Sequence, residues 1–340
     1  MRKLLNTLYV TTPEAYLTKN GLNVVVSVEK EECFRIPIMN IEGIITFGYM
    51  GASPGLIKLC MENGVSLVFM SPQGRFIGRF QGATRGNVLL RKKQYKLSED
   101  ENVTLHLAKL FIGGKVFNYR NILQRFVRDN GANEEVEYAV KQLDWSKRSV
   151  LQADNMDILR GEEGHAANIY FGVFDYLILH QKTDFTFNVR NRRPPKDEVN
   201  AMLSFVYTLI ANDVSASLEA VGLDPYVGFM HTLRPGRISL ALDMMEELRA
   251  YLGDRLVLSM INRKQVTKKG FIRQGDEGIA MTDDCRKELL STWQKRKKET
   301  IEHPYLKEKI PIGLLPHVQA MLLSRFLREE IDDYPVFLMR

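Results

Sequence analysis

The stretch of sequence that could do chemistry most directly is a histidine followed by closely spaced acids, between Gly222 and Arg249. His231 lies in a loop rich in glycine and proline, and loops of this kind often carry ligands. Asp243, Glu246 and Glu247 follow in a segment whose apolar spacing predicts a helix. Carboxylate oxygens bind Mg²⁺ and Mn²⁺, and Mn²⁺ also accepts an imidazole nitrogen. The stretch therefore fits a hard-metal site, and it also fits the solvated face of an ordinary amphipathic helix.

A second acidic pair, Glu162 and Glu163, lies between Gly161 and Gly164 where another helical period begins. Flanking glycines allow the backbone to approach a ligand closely, although glycine is also common at ordinary bends. An acid near a helix N-terminus is in addition favoured by the helix dipole. Spacing alone leaves a ligand role and a structural role open for this pair.

The first part of the chain shows the alternating pattern of short strands. Apolar and polar residues alternate with turn signals up to about residue 82, and one short helix interrupts them. Ser53 is the expected N-cap of that helix and Pro54 its first residue. These features predict a small β-rich domain over residues 1–95.

Segments of helical period dominate the remainder, and they predict a larger all-helical domain over residues 96–340. The predicted helices cover residues 104–129, 134–143, 157–179, 196–220 and 236–252. The charged segment 91–101 between the two domains predicts a hinge or short linker. The expected fold class is thus α+β, with the domains in this order.

Positive charge is concentrated near the N-terminus. Residues 1–98 contain 13 lysines and arginines against 6 acids, whereas the remainder contains 34 against 35. No acid lies between Glu62 and Glu99, and the basic residues of this interval are Arg75, Arg79, Arg85, Arg91, Lys92, Lys93 and Lys96. Such a run suits a phosphate backbone, and it also suits a merely solubilising surface.

Two smaller groups of arginines also qualify as phosphate contacts. Arg190, Arg192 and Arg193 precede a predicted helix, where they face either phosphate or nearby acids. Arg234 and Arg237 follow His231 closely in the sequence, and they are candidates for clamping a phosphate.

Composition excludes several classes of protein. With 45% apolar and 26% charged residues, the chain has the composition of a globular protein. It has no uninterrupted apolar run of about 18 residues, and its three cysteines form no C-x-x-C pair. No phosphate-binding glycine loop of a nucleotide hydrolase is present. We therefore expect a cytoplasmic protein without a membrane span, a disulfide framework or a zinc ribbon.

Taken together, the motifs resemble the family of the CRISPR-associated adaptation integrase, the first-numbered Cas protein. The resemblance runs almost end to end and rests on RGEEGHAANIYF, RRPPKDEVNAMLSFVYTLI, GLDPYVGFMH, SLALDMMEELR and IPIGLLPHVQAMLLSRFLREEIDDYPVFLMR. The second and the last of these segments look like the subtype I-C branch.

The resemblance implies a metal site made of a glutamate from a G-x-E-G turn, a loop histidine and an acid on the following helix. These roles fall on Glu163, His231 and Glu246, with Mg²⁺ or Mn²⁺ as the expected cofactor. Asp243 then either orients a ligand or holds a second ion. Glu247 stays an alternative to Glu246, because it is only one residue further along the helix.

The resemblance also implies a function and a set of partners. The family looks like a homodimeric metal-dependent DNA endonuclease and integrase, in which a DNA 3′-hydroxyl attacks a target phosphodiester. Expected partners are double-stranded and branched DNA, a second copy of the chain that pairs through the β-rich domain, and the small second Cas protein. A DNA-binding scaffold without catalysis, or an enzyme acting on small phosphates, would also explain parts of the pattern.

Overall fold

The chain folds into two compact units in a computed structural model that describes residues 6–72, 76–80, 88–275 and 278–339. The first unit contains residues 1–85 together with Met281–Thr300 and Pro311–Leu314, and the second contains Gly86–Ala280, Ile301–Ile310 and Leu315–Arg340. The first is rich in strands and the second is mostly helical, so the predicted α+β fold class is confirmed.

The strands and helices are as follows. The strands are β1 (Thr7–Val10), β2 (Tyr16–Asn20), β3 (Asn23–Val28), β4 (Glu31–Pro37), β5 (Gly43–Phe47), β6 (Ser66–Met70), β7 (Phe76–Phe80), β8 (Phe271–Gln274), β9 (Gly278–Met281), β10 (Thr300–Glu302) and β11 (Lys309–Pro311). The helices are α1 (Pro54–Asn63), α2 (Val88–Ser98), α3 (Glu101–Asn130), α4 (Glu134–Gln152), α5 (Met156–Gly172), α6 (Glu198–Ala220), α7 (Ser239–Arg249), α8 (Arg255–Asn262), α9 (Asp283–Lys298) and α10 (Leu315–Leu327). A π-helical turn, Ala250–Asp254, joins α7 to α8.

Two sheets form the first unit. Strands β1, β5 and β6 are parallel and β7 completes their sheet in the antiparallel direction, while β2, β3 and β4 form an antiparallel meander. Helix α1 makes the crossover between β5 and β6, and its start is as predicted: the Ser53 side chain accepts a hydrogen bond from the Leu56 amide, and Pro54 is the first helical residue. Leu17, Ile44 and Leu56 lie in the apolar core that the sheets and α1 share.

The structure differs from the sequence-based expectation in three elements. Residues 91–98 of the predicted linker lie in helix α2, which begins at Val88 and buries Leu90 and Gln94 behind an otherwise charged surface. Helix α9 belongs to the first unit, where the Gln294 side chain donates to the Thr7 carbonyl at 3.3 Å. The second unit is not all-helical, because the β8–β9 and β10–β11 pairs interrupt it.

Helices α3, α5, α6 and α7 form the centre of the second unit, and α3 packs against both α5 and α7. Among the described residues, α6 is the one helix long and apolar enough to cross a membrane by length and composition. It is packed against α7 and α10, and 61% of its most apolar window is buried within the protein. This burial is what a core helix of a folded domain shows.

Candidate active site

The three acids of α7 are buried, so they do not form a solvated helix face. Asp243, Glu246 and Glu247 are 0%, 1% and 0% exposed. A buried carboxylate is costly unless donors or cations compensate it, and each of the three has its own set of partners. These partners distinguish the roles of the three residues.

Asp243 holds the histidine loop against the start of α7. Its Oδ2 accepts hydrogen bonds from the amides of Phe229 and Met230 at 2.7 and 3.0 Å. Its Oδ1 accepts from the His231 amide at 2.9 Å and lies 2.6 Å from His231 Nδ1. Both oxygens are thereby occupied by groups of the loop, and the imidazole is fixed with Nε2 on its opposite side. A carboxylate behind a histidine in this way is common at metal centres, where it sets the tautomer and the ring orientation.

The close approach of the loop to α7 requires glycine at position 228. A Cβ atom there would lie 2.5 Å from Asp243 Oδ2 and 2.7 Å from the Ser239 carbonyl carbon. The contact has no room for a side chain. Glycine at this position is therefore part of how the sequence places His231.

A buried glutamine from α2 fixes the other end of the same loop. The Gln94 side chain donates to the carbonyls of Asp224 and Val227, both at 2.8 Å, and accepts from the Asp224 amide at 2.9 Å. Gln94 is fully buried. Its amide thus satisfies three partly buried backbone groups, and this holds the loop in one conformation.

Glu246 faces two cations. Arg249 NH2 donates to its Oε1 at 2.5 Å, and Lys115 Nζ lies 2.8 Å from its Oε2. Burial raises the pKa of Glu246, but Arg249, Lys115 and His231 together outweigh burial and hold the pKa at about 2. Glu246 is therefore ionised at neutral pH, and His231 is close enough to help lower its pKa.

Glu163 reaches the same lysine from α5. Lys115 Nζ donates to Glu163 Oε1 at 2.6 Å, so one ammonium group contacts the carboxylates of both Glu163 and Glu246. The G-x-E-G segment is part of the interior of α5 and not a turn, which corrects the expectation from sequence. One turn earlier in α5, Arg160 donates to the Met230 carbonyl at 3.3 Å and links this helix to the histidine loop.

Glu247 points away from this cluster, toward the C-terminal segment. It accepts hydrogen bonds from the Tyr334 hydroxyl, the Phe337 amide and the Gln319 side chain. Burial raises the pKa of Glu247 to about 7 against the opposing effect of these donors. Its partners are structural groups, in contrast to the cations around Glu246.

A second layer of charged and aromatic groups holds Arg249. The Arg249 guanidinium lies 4.7 Å from the centre of the Tyr207 ring, and the Tyr207 hydroxyl donates to Asp254 Oδ1 at 2.5 Å. Arg190 lies 5.2 Å from the same ring and also donates to Asn200 Oδ1. The Arg190 guanidinium thus contacts an aromatic ring and a neutral amide. The partners expected from the sequence were a phosphate or a nearby acid.

The other basic residues singled out from the sequence have mixed surroundings. Arg75 and Arg85 lie outside the described residues. Lys92 is exposed on α2, whereas Lys93 pairs with Glu329 at 2.8 Å and Arg91 donates to the Gly222 carbonyl at 3.2 Å. Lys96 and Arg234 are exposed, and Arg237 is half-buried. Nothing in these contacts identifies a phosphate site.

The donor atoms of Glu163, Glu246 and His231 fit a hard divalent cation. Within the part of the chain that the structure describes, no three or more His, Cys, Asp or Glu side chains are arranged as a metal-binding group. Glu246 Oε2 is buried and has an ion pair but no aligned hydrogen bond. Two carboxylates and an imidazole with Nε2 directed away from its aspartate are donors that Mg²⁺ and Mn²⁺ accept.

Sequence reasoning missed Lys115 and Gln94. Lys115 stands in the apolar run LFIGGKVF, where a charged residue is unusual and is 2% exposed in the structure. A lone charge in an apolar helical segment is a detectable signal, because a buried lysine needs a partner. Gln94 gave no such signal, since its neighbours in sequence are charged and polar.

The chain is similar to known CRISPR-associated proteins. Residues 8–295 match the family described as CRISPR associated protein Cas1. A protein from Chlorobaculum tepidum named CRISPR-associated endonuclease Cas1 1 is 47% identical over the whole of both chains. Another from Rhodospirillum rubrum, named CRISPR-associated endonuclease Cas1 2, is 46% identical over 98% of each.

Solved structures show the same fold at low sequence identity. A Cas1 protein from Thermotoga maritima has a TM-score of 0.83 at 21% identity, covering 98% of this chain and all of that one. A casposase bound to integration product has a TM-score of 0.84 at 19% identity, with coverage of 98% and 93%. A Cas6-RT-Cas1–Cas2 complex has a TM-score of 0.83 at 19% identity over 98% of this chain and 36% of that chain.

Proposed function

This chain belongs to the CRISPR-associated Cas1 family, and we propose that it is a divalent-metal-dependent DNA endonuclease and integrase. In this proposal it inserts prespacer DNA into a CRISPR array by attack of a DNA 3′-hydroxyl on a target phosphodiester. The observation that carries the proposal is the meeting of Glu163 and Glu246 on one ammonium group, close to a histidine fixed by Asp243. These groups come from three parts of the sequence that are remote from one another: α3, α5, and the histidine loop with α7.

Glu163, His231 and Glu246 are the residues that would hold Mg²⁺ or Mn²⁺. Such an ion supplies Lewis-acid stabilisation of the charge that develops on phosphate oxygens. Asp243 accepts from the His231 amide and lies beside Nδ1, so it keeps the ring in position with Nε2 as the ligand atom. Because four donors of the loop already occupy its two oxygens, Asp243 acts as a positioning residue and not as the ligand of a second ion.

Arg249 keeps Glu246 ionised and oriented. It contacts Oε1 of the carboxylate and stacks on Tyr207, so its position depends on groups behind the site and not on a substrate. Oε2 of the same carboxylate is left to face Lys115. The carboxylate therefore presents a fixed oxygen to the ammonium group that also contacts Glu163.

The partners of this activity follow from the family. We propose double-stranded and branched DNA as substrate, a homodimer formed through the first unit, and Cas2 as the assembly partner. One of the structural neighbours is a complex that contains both Cas1 and Cas2, and another is a casposase bound to integration product. The subtype I-C likeness and the cytoplasmic location stay predictions.

The test is an integration assay with a labelled prespacer duplex, a supercoiled target and the Cas2 partner. We expect His231→Ala to lower strand transfer by roughly 100-fold or more while the affinity for duplex DNA changes little. The reason is that a side chain that ligates the metal contributes mainly in the transition state. The exposed His165, which is on the same helix as Glu163, provides the matched control His165→Ala. Full strand transfer by His231→Ala would refute the proposed metal site, whereas a wild type that binds the duplex without any strand transfer would favour a DNA-binding scaffold without catalysis.

A further inference from the structure

Lys115 is a buried charge that the proposed reaction does not by itself explain. It projects from the middle of α3, its side chain is 2% exposed, and its ammonium contacts Glu163 at 2.6 Å and Glu246 at 2.8 Å. Removing an ammonium group from water costs several kcal/mol unless opposite charges compensate it. The two carboxylates supply that compensation, so the ion pairs account for the burial of Lys115.

The same ion pairs also explain how the carboxylates can lie together. Two carboxylates that share a site repel each other, and a cation between them removes that repulsion. Lys115 is this cation for the pair Glu163 and Glu246, since a single nitrogen contacts one oxygen of each. Arg249 does not substitute for it, because its ion pair is with the other oxygen of Glu246.

We propose that Lys115 is a resident cation that holds the place of the divalent metal, and that the metal binds in competition with its ammonium group. The inference rests on the proposed function for the identity of the site. In the metal-free protein, Lys115 holds one oxygen each of Glu163 and Glu246 against a single nitrogen. When the metal binds, the ammonium gives up the oxygens that it contacts, while Arg249 keeps its own oxygen of Glu246.

Competition has a measurable consequence for affinity. A metal that must displace an ammonium group binds more weakly than one entering the same carboxylates without it, because part of the electrostatic gain is already present. Removing the charge of Lys115 therefore tightens metal binding, even though it destabilises the metal-free protein. A residue that merely supported the fold would weaken binding when it is replaced, or leave it unchanged.

The experiment measures Mn²⁺ binding to the full-length, metal-free protein by the electron paramagnetic resonance of free Mn²⁺. We expect Lys115→Met to bind Mn²⁺ about tenfold more tightly than the wild type, since one competing charge is removed. Lys141→Met, at an exposed position of α4, removes the same charge elsewhere and should leave the affinity unchanged. Equal or weaker Mn²⁺ binding by Lys115→Met would overturn the proposal.

Thermal unfolding with and without Mn²⁺ provides a second readout. Lys115→Met and Lys115→Gln should both melt below the wild type without metal, and saturating Mn²⁺ should raise their melting temperatures by more than that of the wild type. If both variants fold only with Mn²⁺ present, the metal has replaced the ammonium, as proposed. If Mn²⁺ rescues neither variant, the proposal is wrong.

The controls separate this inference from the proposed function. His231→Ala should weaken Mn²⁺ binding in the wild-type background. If the wild type binds no Mn²⁺, or binds it independently of His231, the proposed metal site fails and the role of Lys115 fails with it. If the wild type binds Mn²⁺ through His231 and Lys115→Met does not bind it more tightly, only the competition is refuted.

Discussion

At the scale of single residues, the contacts of α7 separate two neighbouring glutamates that spacing could not separate. Glu246 faces Lys115 and Arg249, whereas Glu247 accepts hydrogen bonds from the C-terminal segment. On a helix, successive residues point about a quarter turn or more apart, and only the tertiary packing decides which direction leads to a site. The resemblance to the family motif favours Glu246 as the ligand, and this assignment stays a prediction.

Substitution of the two glutamates should give different kinds of defect. We expect Glu246→Gln to lower strand transfer per folded molecule by roughly 100-fold or more, and also to lower stability, because Lys115 and Arg249 lose a carboxylate that compensates their buried charges. Glu247→Gln places an amide nitrogen among three donors, so it should lower the free energy of unfolding by about 1 to 3 kcal/mol and leave strand transfer per folded molecule largely intact.

Integration assays at low temperature, combined with urea unfolding, distinguish these outcomes. The Glu247→Gln protein must be assayed where its folded fraction is high, as judged by circular dichroism. An inactive but well-folded Glu247→Gln protein beside an active Glu246→Gln protein would reverse the assignment.

Asp254 predicts a pH dependence of stability. Burial raises its pKa to about 6, although the Tyr207 hydroxyl and Arg249 act in the opposite direction. Between the ordinary pKa of an aspartate and this value, the folded protein binds a proton that the unfolded chain does not. Stability from this group is therefore greatest below about pH 4 and falls by about 3 kcal/mol as the pH rises to about 6.

Asp254→Asn should remove this contribution. Urea denaturation from pH 4 to pH 7 measures the unfolding free energy of both proteins. The value for the wild type minus the value for Asp254→Asn should fall as the pH rises. Asp154→Asn, at an exposed position before α5, serves as the control and should show no such change. Parallel pH profiles of the wild type and Asp254→Asn would contradict the account.

At the scale of elements, the helices with a clear apolar period were predictable and the α2 helix was not. The predicted segments 104–129 and 196–220 correspond to α3 and α6 within a few residues. Helix α2 has a charged composition, and what it buries includes the polar side chain of Gln94. A buried polar residue leaves no hydrophobic pattern, so its role appears only when the loop that it binds is seen.

The contact between α2 and the histidine loop gives a prediction at this scale. Gln94→Leu keeps the volume but leaves three partly buried backbone groups of the loop without their side-chain partner, at a total cost of about 1 to 3 kcal/mol. We expect faster amide hydrogen exchange at Phe229, Met230 and His231, together with lower strand transfer. Gln152→Leu at the exposed end of α4 is the control. Unchanged exchange in Gln94→Leu would show that Asp243 alone holds the loop.

At the scale of the whole molecule, the order of the β-rich part and the helical part was predictable from the sequence. Which remote segments of the chain belong to each part was not. The alternating pattern and the Ser53-Pro54 start of α1 marked the β-rich part correctly. Helix α9 begins at Asp283, nearly 200 residues after the N-terminal segment of the first unit ends at Arg85, yet it belongs to that unit. Neither spacing nor charge connects residues so remote, in the same way that nothing local linked Lys115 to Glu163 and Glu246.

The basic N-terminal third predicts how DNA binding responds to salt. Each phosphate contact releases counterions, so charge reversal at a contacting residue should lower the slope of log affinity against log salt by about one unit. We expect this for Arg79→Glu on β7 and for Lys92→Glu on α2, and the same reversal at Arg75 tests a position outside the described residues. Lys141→Glu is the control.

Slopes that none of these reversals changes would move the DNA track to another basic cluster. The remaining candidates are residues 263–269 and 295–298. Lys297 in the second cluster is buried, so the first cluster would then be the stronger candidate.

The central claim is that Glu163, His231 and Glu246 hold one divalent ion, and anomalous diffraction from crystals soaked in Mn²⁺ tests it most directly. We predict a single strong anomalous peak within about 2.0 to 2.6 Å of one carboxylate oxygen from each glutamate and of His231 Nε2, with the Lys115 ammonium moved away from it. A peak that lacks Glu163 or His231 among its ligands, or that involves Glu247 in place of Glu246, would contradict it.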